Sequence, residues 1–344
     1  MKNKITIFIL SFNRPKYLER SIEFIQSYKK DFDIFVLDSS NDLNHSKIAQ
    51  IIIKHNNISL IRYSEDIFFV KKIFLSLKYL KNNYVLLSTD DDFIVPDSII
   101  KSKNFLSKNS DYSSCHGLYL NHKLDNNFND RVFFYELYKS QSRDINYKQI
   151  NLRIDNYLNI EKSSKYSPFY ALHRSEDFKK IWQFTNTCVT DWSLSEYVPC
   201  CISLILGKMK VLPITYMSRE INDNRFNFKL IKNSLSETKI KKVVDSLDMY
   251  YSKKNFNDHY FYVDFKKKFQ LIRIKTLENY KERPNKSVLN TSRVNRNIFK
   301  KIKNKIAYLK INYFIISPNL RKIKRFIVNF NLSKDEINIS RDLY

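Results

Sequence analysis

Glycine is nearly missing from this chain: 344 residues contain two, Gly117 and Gly207. Phosphate-cradling loops such as dinucleotide fingerprints and P-loops are built on glycine clusters. Their absence argues against a kinase or a nicotinamide-dependent dehydrogenase. Cysteine is sparse too. Cys115, Cys188, Cys200 and Cys201 show no CxxC spacing and no paired His/Cys sets, so no structural zinc site is suggested. The adjacent Cys200-Cys201 reads as small apolar packing in a reducing compartment. No uncharged apolar run reaches the roughly 18 residues that a membrane-spanning helix needs. The N-terminal "MKNKITIFIL" has a basic start, but its apolar run is too short for a signal peptide and leads into Asn13-Arg14-Pro15. It reads as a first core strand, and the expected location is cytoplasmic.

What is present is apolar residues, at 43%, and positive charge, at a net +25. The first is enough for a sizeable core and excludes a wholly disordered chain. The charge is uneven. Residues 225–344 hold 29 basic and 10 acidic side chains, a net +19, which leaves +6 for residues 1–224. That asymmetry places a boundary near 220–230 and assigns the basic character to the C-terminal part.

The first hundred residues alternate between buried-type strands and amphipathic helices. Strands are expected at 4–10, 33–38, 58–63 and 84–88. Helices are expected at 14–30, around 46–55, and at 67–81. This βαβαβαβ order predicts an α/β fold with a mostly parallel sheet and helices on both faces. Ligands of such sheets sit at the carboxyl ends of the strands. There the chain places Ser11, Asn13 and Arg14, then Asp38-Ser39-Ser40, then Asp90-Asp91-Asp92. Farther on, 112–120, 131–137 and 209–220 read as strands and 167–182 as a loop, short strand and helix. Residues 190–208 read as an apolar helix capped by Thr190, with Gly207 near its end and a kink at Pro199. Beyond 225 the spacing is helical. Ile298, Ile302, Ile306, Leu309 and Tyr313 share one face, and Ile323, Phe326, Ile327 and Phe330 another.

Three adjacent carboxylates repel one another unless a cation or proton intervenes. A hard divalent ion takes one or two carboxylates plus substrate phosphates, and a turn after a parallel strand is a suitable place to offer them. The alternative is a solvated acidic turn ahead of Pro96.

The order of these signals resembles the family 2-like glycosyltransferases of GT-A fold, in a bacterial branch associated with surface polysaccharide. The residues that carry the resemblance are "TIFILSFNRPKYLERSI", "DIFVLDSS" and "LLSTDDDFIVPDSI", followed by "YALHRSEDFKKIW", "VTDWSLSEYV" and "GKMKVLPITYMSRE". It covers roughly residues 4–220. The resemblance implies a nucleotide-diphospho-sugar-binding half at 1–110, an acceptor half at 111–224, and a basic, mainly helical region at 225–344. It implies metal-dependent, inverting sugar transfer from a nucleotide-sugar to a surface-glycan or lipid-linked glycan acceptor, with Mn²⁺ or Mg²⁺. Ser11, Asn13 and Arg14 would line the nucleotide loop, and Asp38 would contact base or ribose. Asp90 and Asp91 would approach the nucleotide and sugar, with Asp92 the principal metal ligand and Asp90 a second. One departure is the third helix, where relatives carry a glycine and an Arg-Asn pair. Here "DIFFVKKIF" offers Lys71 or Lys72 as a phosphate or base contact, or simply as a solvated helix face.

Inverting transfer requires a base for the acceptor hydroxyl. The family pattern points to Asp191 in "VTDW", with Glu196 the runner-up and His116 also open. Asp191 can equally be a helix N-terminal carboxylate, and His116 and His173 hydrogen-bonded core groups. Arg219 would hold the diphosphate or pair with Glu220. Trp182 and Trp192 would stack on a sugar or pack in the core.

Residues 281–330 contain 14 basic side chains and one acid, Glu282. Such amphipathic helices suit peripheral contact with an anionic membrane or packing on the catalytic domain; nucleic acid is not the expected partner. Two other classes stay open: a basic membrane- or nucleic-acid-binding protein with an inactive GT-A-like domain, and a nucleotidyltransferase. The lack of a glycine-rich N-terminal loop argues against the second.

Overall fold

The computed structural model describes residues 2–125, 131–136, 143–159, 167–190, 194–220, 242–243, 245–246 and 318–329. The first half runs β1 (Lys2–Ser11), α1 (Pro15–Gln26), β2 (Phe32–Asp38), α2 (Asp42–Ile52), β3 (Ile58–Arg62), α3 (Phe69–Ser76) and β4 (Asn82–Thr89). A 3₁₀ turn, Leu77–Tyr79, extends α3. The second half runs β5 (Asp92–Ile94), α4 (Pro96–Lys108), β6 (Tyr112–Asp125), β7 (Arg131–Glu136), α5 (Ile150–Asn159), a 3₁₀ turn (Ser167–Tyr170), β8 (Leu172–Arg174), α6 (Ser175–Cys188), α7 (Tyr197–Leu206) and β9 (Lys208–Glu220). A last described helix, α8, spans Pro318–Asn329.

All the described strands join one sheet in the order β3-β2-β1-β4-β8-β6-β9-β5, with β7 paired to β6. The α/β class is the expected one. Its parallel character is confined to β3-β2-β1-β4 and the β6–β9 pair; β4–β8, β6–β8, β6–β7 and β5–β9 are antiparallel. The parallel half is legible because it is covered on both faces. Ile7, Phe8 and Ile9 of β1, consecutive and therefore pointing alternately to opposite faces, are all fully buried.

Both glycines stand where a side chain cannot fit. A Cβ on Gly117 would lie 2.4 Å from the Ile214 carbonyl oxygen, and one on Gly207 would lie 2.6 Å from the Ser113 nitrogen. Left-handed backbone is instead taken by Asn13 (φ 54) and Lys29 (φ 51).

Two boundaries differ from the sequence reading. Helix α2 starts at Asp42, because the Asn41 side chain caps it by accepting from Asn44 N at 3.0 Å. Helix α7 starts at Tyr197 with Glu196 at its N-cap, not at Thr190. Pro199 therefore falls in the first turn, where a missing N–H breaks no helical bond. Strand β5 and helices α4 and α5 had no counterpart in the sequence reading.

The core has two parts. The larger fills the space between the sheet and its flanking helices. The smaller comprises Phe24, Phe93, Val95, Leu120 and Phe134, and is closed by Leu320 and Ile323 of α8. Tyr28 OH hydrogen-bonds Asn319 Oδ1 at 3.0 Å at the same contact. The expected face of Ile298–Tyr313 lies outside the described residues.

Candidate active site

Strands β1, β2 and β4 end side by side, Ser11 opposite Asp38 and Leu10 opposite Thr89. The chain leaving β1 must turn at once into α1, and Pro15 opens that helix. Asn13 makes the turn in a left-handed conformation that asparagine tolerates better than most residues. Its own N–H donates to Ser40 Oγ at 2.7 Å, and its Oδ1 accepts from Asn41 N at 2.9 Å and Asn44 Nδ2 at 3.2 Å. The turn delivers Arg14 to the acidic cluster. Its guanidinium pairs with Asp90 and meets Asp91 Oδ2 at 3.2 Å.

The three aspartates have different surroundings. Asp90 is fully buried, and Phe12 N donates to its Oδ2 at 3.4 Å. Burial pushes its carboxyl up to about 7; Arg14 pulls it down and Asp91 pushes it up further. Asp92 is also fully buried and opens β5, where its register partner is Arg219 on β9. Both its oxygens accept from that guanidinium, Oδ1 from Nε at 2.9 Å and Oδ2 from an Nη at 3.1 Å. The Arg219 guanidinium lies 4.5 Å from the centre of the Tyr170 ring.

Asp91 and Asp92 converge on one hydroxyl. Thr89 Oγ1 stands 2.7 Å from Asp91 Oδ1 and 2.6 Å from Asp92 Oδ2. A hydroxyl carries one hydrogen and satisfies one of these acceptors at a time. The other short O···O contact is repulsive in itself and is offset by the guanidinium that each carboxylate meets, Arg14 at Asp91 and Arg219 at Asp92.

This bears on whether a divalent ion fits. Among the described residues, no three His, Cys, Asp or Glu side chains form a ready-made metal cage. An ion held together with substrate phosphates needs only one or two carboxylates. The pair at Thr89 supplies two, each already facing a guanidinium, Asp91 that of Arg14 and Asp92 that of Arg219.

No family model matches the chain. Among solved structures it is similar to S. aureus TarS. TarS 1-349 in complex with UDP-GlcNAc is 14% identical with a TM-score of 0.47, over 80% of this chain and 83% of that one. TarS 1-349 in complex with UDP is 16% identical with a TM-score of 0.44, over 72% of each chain. Against a longer TarS structure, at 15% identity and a TM-score of 0.45, this chain spans 44% of the other's length. At this identity and superposition the likeness assigns no residue and no activity.

The remaining candidates fall into place unevenly. Asp38 is fully buried and already engaged. Its Oδ1 accepts from Ser40 N at 3.0 Å and Ser40 Oγ at 2.6 Å, and its Oδ2 lies 2.7 Å from His45 Nδ1. In this conformation it orders the loop after β2. Lys71 is exposed, but Lys72 is not a solvated residue. Its ammonium is buried behind the ends of β1 and β2, donating to Ser39 Oγ at 2.8 Å and the Ser11 carbonyl at 3.2 Å. Burial lowers it to about 8, against the pull of Asp38 and Asp90. A lysine three residues after Phe69 gives no warning of this; only the packing of α3 reveals it.

Arg219 pairs with Asp92, while Glu220 pairs with Arg20. Adjacent residues of a strand point to opposite faces, so both pairs can form. Glu196 has its carboxyl raised by burial, which the Arg219 charge partly offsets. Asp191 and Trp192 lie outside the described residues. Trp182 is a core residue, packed edge-on against Phe169 at 5.7 Å. His116 and His173 are buried, each bound to a backbone carbonyl, Gly117 O at 2.7 Å and Pro168 O at 3.0 Å.

Proposed function

We propose that this chain is a metal-dependent, inverting glycosyltransferase that moves a hexosyl or related group from a nucleotide-sugar to a hydroxyl of a surface-glycan or lipid-linked glycan acceptor. One observation carries the reading: Asp91 and Asp92 converge at Thr89, between two guanidinium groups, at the carboxyl edge of parallel strands. Acidic groups for a cation and basic groups for a diphosphate are there within one side chain's reach of each other. Asp92 would hold Mn²⁺ or Mg²⁺ with Asp90, the expected second ligand, or with Asp91, which meets it at Thr89. A bound divalent ion would neutralise charge on the departing diphosphate.

The protein's own groups do the rest. Arg14 holds Asp90 and Asp91 in place. Asn13, Ser11 and Asp38 shape the nucleotide loop. Asp191 is the proposed base for the acceptor hydroxyl, and Glu196 is the alternative, favoured by its raised carboxyl close to Arg219. The protein would work at the inner face of the cytoplasmic membrane, with residues 281–330 against anionic lipid. In keeping with this, α8 buries Leu320 and Ile323 and exposes Arg321, Lys324 and Arg325. No helix of the described residues is long and apolar enough to cross a membrane.

The test is a panel of nucleotide-sugars offered to the full chain with Mn²⁺ or with EDTA. One donor is expected to bind and hydrolyse slowly in Mn²⁺, and to lose both in EDTA and in Asp92→Ala. No response to any donor, with or without metal, overturns the reading. Asp191→Asn should then abolish transfer while sparing donor binding; retained transfer moves the base to Glu196.

A further inference from the structure

We infer that Arg219 is an internal counter-ion that the divalent cation must displace, and that its release onto the diphosphate makes cation and donor bind cooperatively. This rests on the metal-site reading above and concerns how that site is switched.

Asp92 has no exposed surface, and both of its oxygens accept from one guanidinium. A divalent ion approaching either oxygen meets a positive charge already seated there. In a buried setting such like-charge repulsion is poorly screened. The cation and the guanidinium therefore compete for Asp92. They cannot share it as they are placed.

The displaced group has a defined place to go. Strand β9 is pinned at its end, because Glu220 pairs with buried Arg20; burial alone would raise its carboxyl, but Arg20 and His122 outweigh that and hold it at about 2. The backbone under Arg219 thus stays put while the side chain swings. The Tyr170 face, 4.5 Å from the guanidinium carbon, keeps the planar group at the site during that swing. A planar fork of N–H donors freed from a carboxylate matches phosphate oxygens equally well. Arg14 cannot take this role as readily, since it straps two carboxylates, Asp90 and Asp91, together.

Without diphosphate, releasing Arg219 forfeits its two hydrogen bonds to Asp92 with no phosphate to replace them, and Mn²⁺ binds weakly. With diphosphate, the guanidinium exchanges one anion for another, and Mn²⁺ binds more tightly. Linkage makes the effect reciprocal.

The experiment counts free Mn²⁺ by electron paramagnetic resonance, with the full chain, alone and in the presence of UDP. A protein-free titration corrects for chelation by UDP. The wild type should bind Mn²⁺ weakly alone and about tenfold or more tightly with UDP. Arg219→Gln should bind Mn²⁺ alone about tenfold more tightly than the wild type, and gain correspondingly less from UDP. Loss of a merely structural contact would weaken Mn²⁺ binding, not strengthen it. Arg219→Lys, which engages one carboxylate oxygen, should lie between the two and serves if the glutamine variant does not fold. If a folded Arg219 variant binds Mn²⁺ alone no more tightly than the wild type, the counter-ion exchange is refuted while the metal site stands. If the wild type takes up no Mn²⁺ with or without UDP, the metal-site reading falls and the exchange falls with it.

Discussion

Acid should unfold this protein through two histidines that play no part in the proposed chemistry. His116 Nδ1 and His173 Nε2 each face a backbone carbonyl, so those nitrogens carry the hydrogen. The opposite nitrogens, His116 Nε2 and His173 Nδ1, are buried with no partner. Protonating either would bury a charged N–H without an acceptor. Burial accordingly lowers both rings from 6.5 to about 4. The unfolded chain takes up these protons below about pH 6.5 and the native chain does not until about pH 4. Stability from this source is full above the upper value and is lost as pH falls through the window. Each histidine should remove about 2 kcal/mol between pH 7 and pH 5, hence about 4 kcal/mol for the two. The perturbation is His116→Asn with His173→Gln, which keeps a donor near the Nδ1 and Nε2 positions and deletes the titration. Urea unfolding at both pH values measures it. Lost ring packing shifts the variant equally at each pH. Asp90, raised to about 7, favours the native state in acid, but it is common to both proteins and cancels in the difference. The wild type should lose about 4 kcal/mol more than the variant. Parallel losses would refute the argument.

Two further outcomes follow from packing. Gly117→Ala pushes a methyl group against the Ile214 carbonyl and should cost about 3 kcal/mol or more of stability, read from urea midpoints; a variant as stable as the wild type would mean that β6 and β9 can part freely there. Ile323→Ala removes a fully buried anchor of α8, at a cost of about 2–5 kcal/mol in docking, so limited proteolysis should cut within 318–329 much faster. An unchanged cleavage rate would place the helix's hold elsewhere.

How much of this was readable depends on the kind of interaction. Strands β1 to β4 announce themselves, since strands buried on both faces must be continuous apolar runs. Strand β5 does not. Three residues beginning with Asp92 become a strand only because Met217, Ser218 and Arg219 lie alongside. Helix α4 carried a usable signal in Pro96 at its first position and Asp97 in its first turn, masked by a polar sequence. The acidic cluster was legible from its placement after a strand. The partner of Asp92 was not, because it stands 127 positions away, and such pairs are set by sheet topology. Asp38 shows the reverse case. A carboxylate at a strand end looks available, but the serine two residues on and the histidine seven residues on already occupy it.

The near-absence of glycine has a thermodynamic consequence at the mouth of the site. Asn13 occupies a conformation usually left to glycine, at an intrinsic cost of about 1 kcal/mol, and three hydrogen bonds to Ser40, Asn41 and Asn44 hold it there. A glycine loop would be free to wander before a ligand arrived and would give up that freedom on binding. This loop has already surrendered it during folding. Whatever enters at the ends of β1 and β2 meets a surface whose ordering cost was settled before the encounter, and a larger share of its contact energy can appear as affinity.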